Sequence, residues 1–209
     1  MLYVNGPVDD EIASPLAEVE GDLPTLAALQ VVFNSPGGTF LAGELLERLI
    51  LQAKAVMPVG AFVRDARSTV VIPAVAAHAT RGDSGAITGG FGMMIHTCDG
   101  HKPMVVVNSQ SPRKYDGGPM LWPPRKFLKS HTELQRLQTL ADRQYETDLE
   151  LVSRYSGTPP DRLRPYLDGR PLLAEEAVEA GLLQGICDED TAYSELLLMA
   201  ERSKTEKEK

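Results

Sequence analysis

Several things are scarce in this chain. Only two of its 209 residues are cysteine, Cys98 and Cys187. That excludes a disulfide framework and a cysteine-rich metal cluster, and both are expected as free thiols in a reducing compartment. No stretch approaches the roughly 18 uninterrupted apolar residues of a membrane-spanning helix. The opening from Met1 to Pro7 has neither a basic region nor a sustained apolar run, so no signal peptide is expected. A cytoplasmic protein without membrane contact is the expectation. Positive charge is not in excess either. Lys+Arg total 21 against 29 for Asp+Glu, a net charge of −8, which is the wrong balance for a protein that tracks phosphates, so nucleic acid is not an expected partner.

What is present is an ordinary globular composition. Hydrophobic residues make up 43% and charged residues 24%, which excludes a disordered chain. The length suffices for one domain with a substantial core. That domain is expected over residues 1–202, with an irregular segment at 97–131 and a charged, disordered tail at 203–209.

Short apolar runs alternate with amphipathic ones. Leu2 to Val4 reads as a strand closed by Asn5-Gly6-Pro7. Residues 10–29 read as helical pieces broken by Gly21 and Pro24. Leu29 to Phe33 is a second strand, and Val56 to Val63 a third. Phe40, Leu41, Leu45, Leu46, Leu49 and Ile50 fall at helical spacing. Met93 to Ile95 is strand-like, and Met104 to Val107 a further candidate strand in a segment rich in proline that holds the single tryptophan, Trp122. Leu134, Leu137, Ala141, Tyr145, Leu149 and Val152 mark the clearest helix, with Thr132 as its expected N-cap. Shorter helices are expected at 161–167 and 174–180, the latter stopped by Gly181, and a last one at 191–202. Strands alternating with helices predict an α/β fold.

Asn34-Ser35-Pro36-Gly37-Gly38 lies between a strand and a helix. Pro36 stiffens the turn, and the two glycines let the backbone approach a ligand closely. Amides near a helix start can point at a developing negative charge, as an oxyanion hole requires.

Phe33-Asn34-Ser35-Pro36-Gly37-Gly38, followed by Leu41-Ala42-Gly43, resembles the proteolytic subunit of the Clp protease. Met93-Met94-Ile95-His96 resembles the strand that ends in that family's catalytic histidine. Ser156-Gly157 resembles the end of its long helix, and Leu172 to Leu182 its closing segment. The likeness covers about residues 2–96 and 132–187. It implies a crotonase-like ββα spiral with a protruding handle helix. It also implies a serine endopeptidase with a Ser–His–Asp triad, inside a self-compartmentalised homo-oligomeric ring, a heptamer that stacks in pairs. The substrate is then a peptide or unfolded protein, and an ATP-driven unfoldase is the family's partner. Neither metal nor organic cofactor is implied.

Carried over by position, the resemblance implies Ser68 as nucleophile, His96 as general base and Asp168 as the carboxylate that orients it, with Gly169 the neighbouring register. The Gly38 and Thr69 amides are the implied oxyanion donors. Ser68 lies 30 residues after Gly38 and 28 before His96. A second register places the strand at Thr69 to Ile72 and the elbow near Ala76-Ala77-His78, with alanine in place of the nucleophile. The corresponding alternative is a catalytically inactive ring subunit or assembly scaffold. A third is a crotonase-fold enzyme acting on an acyl-CoA thioester. Gly82-Asp83-Ser84-Gly85 resembles the nucleophile turn of chymotrypsin-like proteases, but the helices exclude that fold, so Ser84 is expected in a polar turn.

Four departures from the family stand out. Arg67 directly precedes the serine, and Pro73 lies where a helix starting at Ser68 should not hold one. The segment after His96 is enlarged and basic, with Lys102, Arg113, Lys114, Arg125, Lys126 and Lys129 against Asp99 and Asp116. The chain also starts almost at its first strand, so axial pore loops are not expected.

Overall fold

The alternation of apolar runs folds into a mixed five-stranded sheet. The computed structural model describes residues 1–90, 98–99, 102–103 and 131–207. Strand β1 (Leu2–Asn5) leads through α1 (Ala13–Asp22) to β2 (Leu29–Ser35). Helix α2 (Phe40–Lys54) leads to β3 (Val59–Arg67), and α3 (Val71–Ala76) to β4 (Ala79–Gly89). These four strands are parallel and lie in sequential order. Each crossover is a helix, as a parallel pair requires. Beyond them β5 (Cys98–Asp99) pairs with β6 (Lys102–Pro103). Helices α4 (His131–Ser156) and α5 (Pro160–Leu163) precede β7 (Pro171–Leu173), which joins the sheet antiparallel to β4. Helices α6 (Ala174–Ala180) and α7 (Glu189–Lys207) complete the described chain.

The strands are apolar on both faces because helices cover both. On one face Val31, Phe33, Ala61 and Val63 pack with Leu46 and Ile50 of α2, Ala74 of α3, and Leu149 and Val152 of α4. Phe33 is fully buried, a contribution of about 1.5–3 kcal/mol. On the other face Val32 and Phe62 pack against Ala192 of α7. Gly60 lets this helix approach, since a Cβ there would meet Leu196 at 3.3 Å. Polar ties hold α7 in place: Arg64 pairs with Glu189 at 2.7 Å, and the Tyr3 hydroxyl donates to the same carboxylate at 3.0 Å. Helix α4 is held against α2 by the Tyr155 hydroxyl, which donates to Glu47.

Several boundaries differ from those the sequence predicts. Strand β3 runs four residues past Val63 because a bulge carries it on: the register with β2 steps from Phe33–Val63 to Asn34–Asp65, leaving Arg64 as the extra residue. Residues 79–89 form a full strand. Its glycines and hydroxyl residues obscure the period, and residues 83–86 fall outside the register between the pairs Val63–Gly82 and Asp65–Ile87, with Ser84 and Gly85 exposed and Ala86 buried. Helix α4 begins at His131, so Thr132 is a helical residue and not its cap. Helix α7 continues to Lys207, so residues 203–207 are helical where disorder is predicted. The expected strands Met93–Ile95 and Met104–Val107, and Trp122, lie outside the described residues.

Candidate active site

The second register is excluded. Thr69 to Ile72 is not a strand; Ser68–Val70 is a single 3-10 turn that leads directly into α3. Ala76 and Ala77 lie at the far end of that helix, and the His78 ring accepts the Val59 amide at Nδ1, 3.1 Å away. Pro73 also finds its explanation. It is the third residue of α3, within the first turn, where the amide has no intrahelical partner to lose.

Ser68 sits where β3 ends and the helical turn begins. Among the described residues it is the one non-glycine with a left-handed backbone, φ +56°. A side chain in that region costs energy, and such strain gathers at functional sites. A strand-to-helix turn with a strained serine at its apex is the geometry of a nucleophile elbow. Ser68 is half-buried. The bulge at Arg64 sets its direction, because it reverses the alternation so that Ala66 faces the core.

Three glycines form the cradle for this turn. Gly37 has φ +98°, and a Cβ on it would lie 2.7 Å from both Ser68 Cβ and the Arg67 carbonyl, and 3.3 Å from the Thr69 amide nitrogen. Gly38 is pinned from the other side: a Cβ there would fall 1.6 Å from the Val8 carbonyl oxygen. Gly43, in the first turn of α2, would meet the Thr69 carbonyl at 2.8 Å. The Pro-Gly-Gly turn is therefore a contact surface for Ser68 and Thr69. Ser35 supports it by accepting the Gly37 amide at 3.1 Å, and Thr39 caps α2 by accepting the Ala42 amide.

The two expected oxyanion donors differ in state. The Thr69 amide faces the Gly37 turn beside Ser68. The Gly38 amide is not open: it donates to Thr69 Oγ1 at 3.0 Å. The hydroxyl of Thr69, as well as its amide, thus borders the Gly37-Gly38 turn.

Asp168 lies between α5 and β7 with its carboxylate mostly buried. It accepts the Arg170 amide at 3.1 Å and lies 3.7 Å from Arg170 Nε. The sheet brings it to the same end as Ser68. Arg67 pairs with Gly89, and Gly89 with Pro171. Ser68, Gly90 and Arg170 each adjoin this row, and the Gly90 amide donates to the Arg170 carbonyl at 2.8 Å. The ends of β3 and β7 are two strand spacings apart, about 10 Å. His96 lies outside the described residues; the chain that carries it leaves β4 at Gly89 and Gly90, between Ser68 and the Asp168 loop.

The unexpected arginine is accounted for. Arg67 Nε and Nη2 each donate to the Asp65 carboxylate at 2.7 Å. Both residues lie on one face of β3, two positions apart, so the pair is bidentate and its charge is compensated beside the serine. Arg170 similarly donates to Glu176 at 2.8 Å, which holds that carboxyl below the usual range. Ser84 is exposed in the out-of-register stretch of β4, away from this row.

Sequence reasoning missed Gly43 as a contact residue, the Asp65 partner of Arg67, and the Thr69 hydroxyl. Gly43 had a signal: a glycine inside a helical pattern costs about 1 kcal/mol and marks a close approach. Asp65 had one too, because opposite charges two apart on a strand share a face. The hydroxyl had none, since its partner is a backbone amide. Among the described residues no cluster of metal-ligating side chains occurs, and no helix is long and apolar enough to cross a membrane. No family model matches the chain, and no curated protein matches it.

Proposed function

We propose that this protein is a serine endopeptidase of the Clp-protease type, built on a crotonase-like ββα spiral. The observation that carries the proposal is the left-handed Ser68 at the β3–α3 turn, seated on the glycines of Asn34-Ser35-Pro36-Gly37-Gly38. Strain of this kind is retained where it presents a side chain for chemistry.

In the proposed mechanism Ser68 Oγ attacks the carbonyl carbon of a peptide bond as its proton passes to His96. Asp168 orients the imidazole and stabilises its protonated form. The carbonyl electron pair moves onto oxygen, forming a tetrahedral oxyanion beside Thr69. Collapse of this species breaks the C–N bond, and His96 returns the proton to the leaving amine. Water, deprotonated by His96, then hydrolyses the acyl-serine. The end of β4 supports this assignment, since Gly89 lies between Arg67 and Pro171, next to the serine on one side and the aspartate loop on the other. Assembly into a homo-oligomeric ring, with an unfoldase as feeder, belongs to the same proposal. Its support is apolar surface on α7, where Tyr193, Leu197 and Leu198 are 36%, 40% and 53% exposed.

Hydrolysis of fluorescent casein, with native mass measurement alongside, tests the proposal. Cleavage by the wild type that Ser68→Ala, His96→Ala and Asp168→Ala each abolish is the expected result. Intact rings without cleavage under any condition would favour an inactive scaffold instead.

A further inference from the structure

We propose that Thr69 acts on the oxyanion through its hydroxyl, which relays the Gly38 amide, and not through its backbone amide alone. This rests on the hydrolase reading of the same site. The geometry starts from the Gly37-Gly38 turn. Ser68 and Thr69 pack directly on Gly37: a Cβ there would lie 2.7 Å from Ser68 Cβ and 3.3 Å from the Thr69 nitrogen. The next amide along, that of Gly38, reaches Thr69 Oγ1 at 3.0 Å. The nucleophile, the Thr69 amide and the Thr69 hydroxyl therefore all border one turn.

The hydroxyl's valence completes the argument. A threonine oxygen has one proton and two lone pairs. One lone pair of Thr69 Oγ1 is taken by the Gly38 N–H, and no hydrogen bond from its own proton occurs among the described residues. The proton is thus free to turn toward an acceptor in the site. A substrate carbonyl bound beside Ser68 is such an acceptor, and its demand grows as the oxygen gains charge. The chain Gly38 N–H to Thr69 O–H to oxyanion then runs in one direction, each bond polarising the next. Packing holds the side chain for this task, because Gly43 leaves room for Thr69 Cβ, 3.1 Å from where a Cβ on that glycine would lie. No covalent bond to Thr69 forms or breaks. It keeps its proton while the Ser68 Oγ–C bond forms and the carbonyl pair moves to oxygen.

Acylation by p-nitrophenyl acetate tests this, with melting followed by circular dichroism for every variant. Thr69→Val removes the hydroxyl and keeps the shape. It is expected to slow Ser68-dependent acylation on the order of 10²-fold, the cost of losing one oxyanion donor, in kcat with little change in KM. Thr69→Ser returns the hydroxyl and is expected to restore most of the rate. If Thr69→Val does not fold, Thr69→Ala carries the same comparison. Rates for the hydroxyl-free variant equal to or above wild type would overturn the inference and leave the hydrolase standing; a faster variant would make the hydroxyl a plug on the Gly38 amide. Equal losses in folded Thr69→Ser and Thr69→Val would also overturn it. Wild-type turnover that Ser68→Ala does not lower would instead overturn the hydrolase reading beneath it.

Discussion

Replacing Gly38 by alanine tests the cradle independently of any activity. The added Cβ would fall 1.6 Å from the Val8 carbonyl oxygen and 2.9 Å from the Val8 nitrogen. Both are backbone atoms, so no side chain can turn aside. The segment around Val8 must move away from the turn. Three hydrogen bonds hold the turn in place: two to the Val8 segment, from Val8 N to the Gly37 carbonyl and from Thr39 N to the Val8 carbonyl, and one from Gly38 N to Thr69 Oγ1, each at 3.0 Å. At about 1 kcal/mol per bond their loss amounts to about 3 kcal/mol. For a domain of this size that lowers the melting temperature by about 6–12 °C. Gly21→Ala is the control, because a Cβ there meets nothing within 4 Å. It lies in α1, where alanine is favoured over glycine by about 1 kcal/mol. Urea unfolding of the three proteins reads the differences. A Gly38→Ala protein within about 1 kcal/mol of wild type would refute the claim that this turn is locked by contact.

Two further predictions concern strain and charge. Ser68→Gly and Ser68→Ala both remove the proposed nucleophile, but only glycine accepts φ +56° without penalty; thermal unfolding should find the glycine variant more stable by about 1 kcal/mol, and equal stabilities would contradict the strain. Asp148 on α4 is 7% exposed, and burial, with Glu47 and Glu44 nearby, raises its carboxyl to about 6 although Gln144 donates to it. The unfolded value is about 3.9, so the folded state holds this proton more tightly. Its contribution is therefore fully present below about pH 4 and is lost as pH rises through 6, roughly 3 kcal/mol in all. Asp148→Asn should flatten stability between pH 4 and 6 and raise it at pH 7, as urea midpoints across that range will show.

The parts of this fold that were legible in sequence are those where one period runs unbroken. The strand expected at Leu29 to Phe33 and the helix expected at 174–180 appear within two residues of their predicted bounds, and the apolar series from Phe40 to Ile50 lies within α2. The ends of β3 and β4 were not legible for a common reason. The Arg64 bulge and the out-of-register stretch 83–86 insert polar residues into the alternation, and pairing with a neighbouring strand, not local pattern, keeps the chain extended there. The place of Pro73 likewise needed three dimensions, since it follows from the 3-10 turn before α3, whereas the Asp65 partner of Arg67 was readable once β3 is extended through Arg67. Ser68 and the Asp168 loop lie at the same end of the sheet because β4 and β7 pair antiparallel. No spacing in the sequence reveals that pairing.

The most direct test of the central claim is to locate a fluorophosphonate adduct by peptide mass mapping. In that reaction the serine oxygen forms a bond to phosphorus, fluoride leaves, and the serine proton passes to the base. A single adduct is expected on the peptide containing Ser68, lost in Ser68→Ala and kept in Ser84→Ala. An adduct on Ser84, or none on a correctly folded wild-type protein, would contradict that claim.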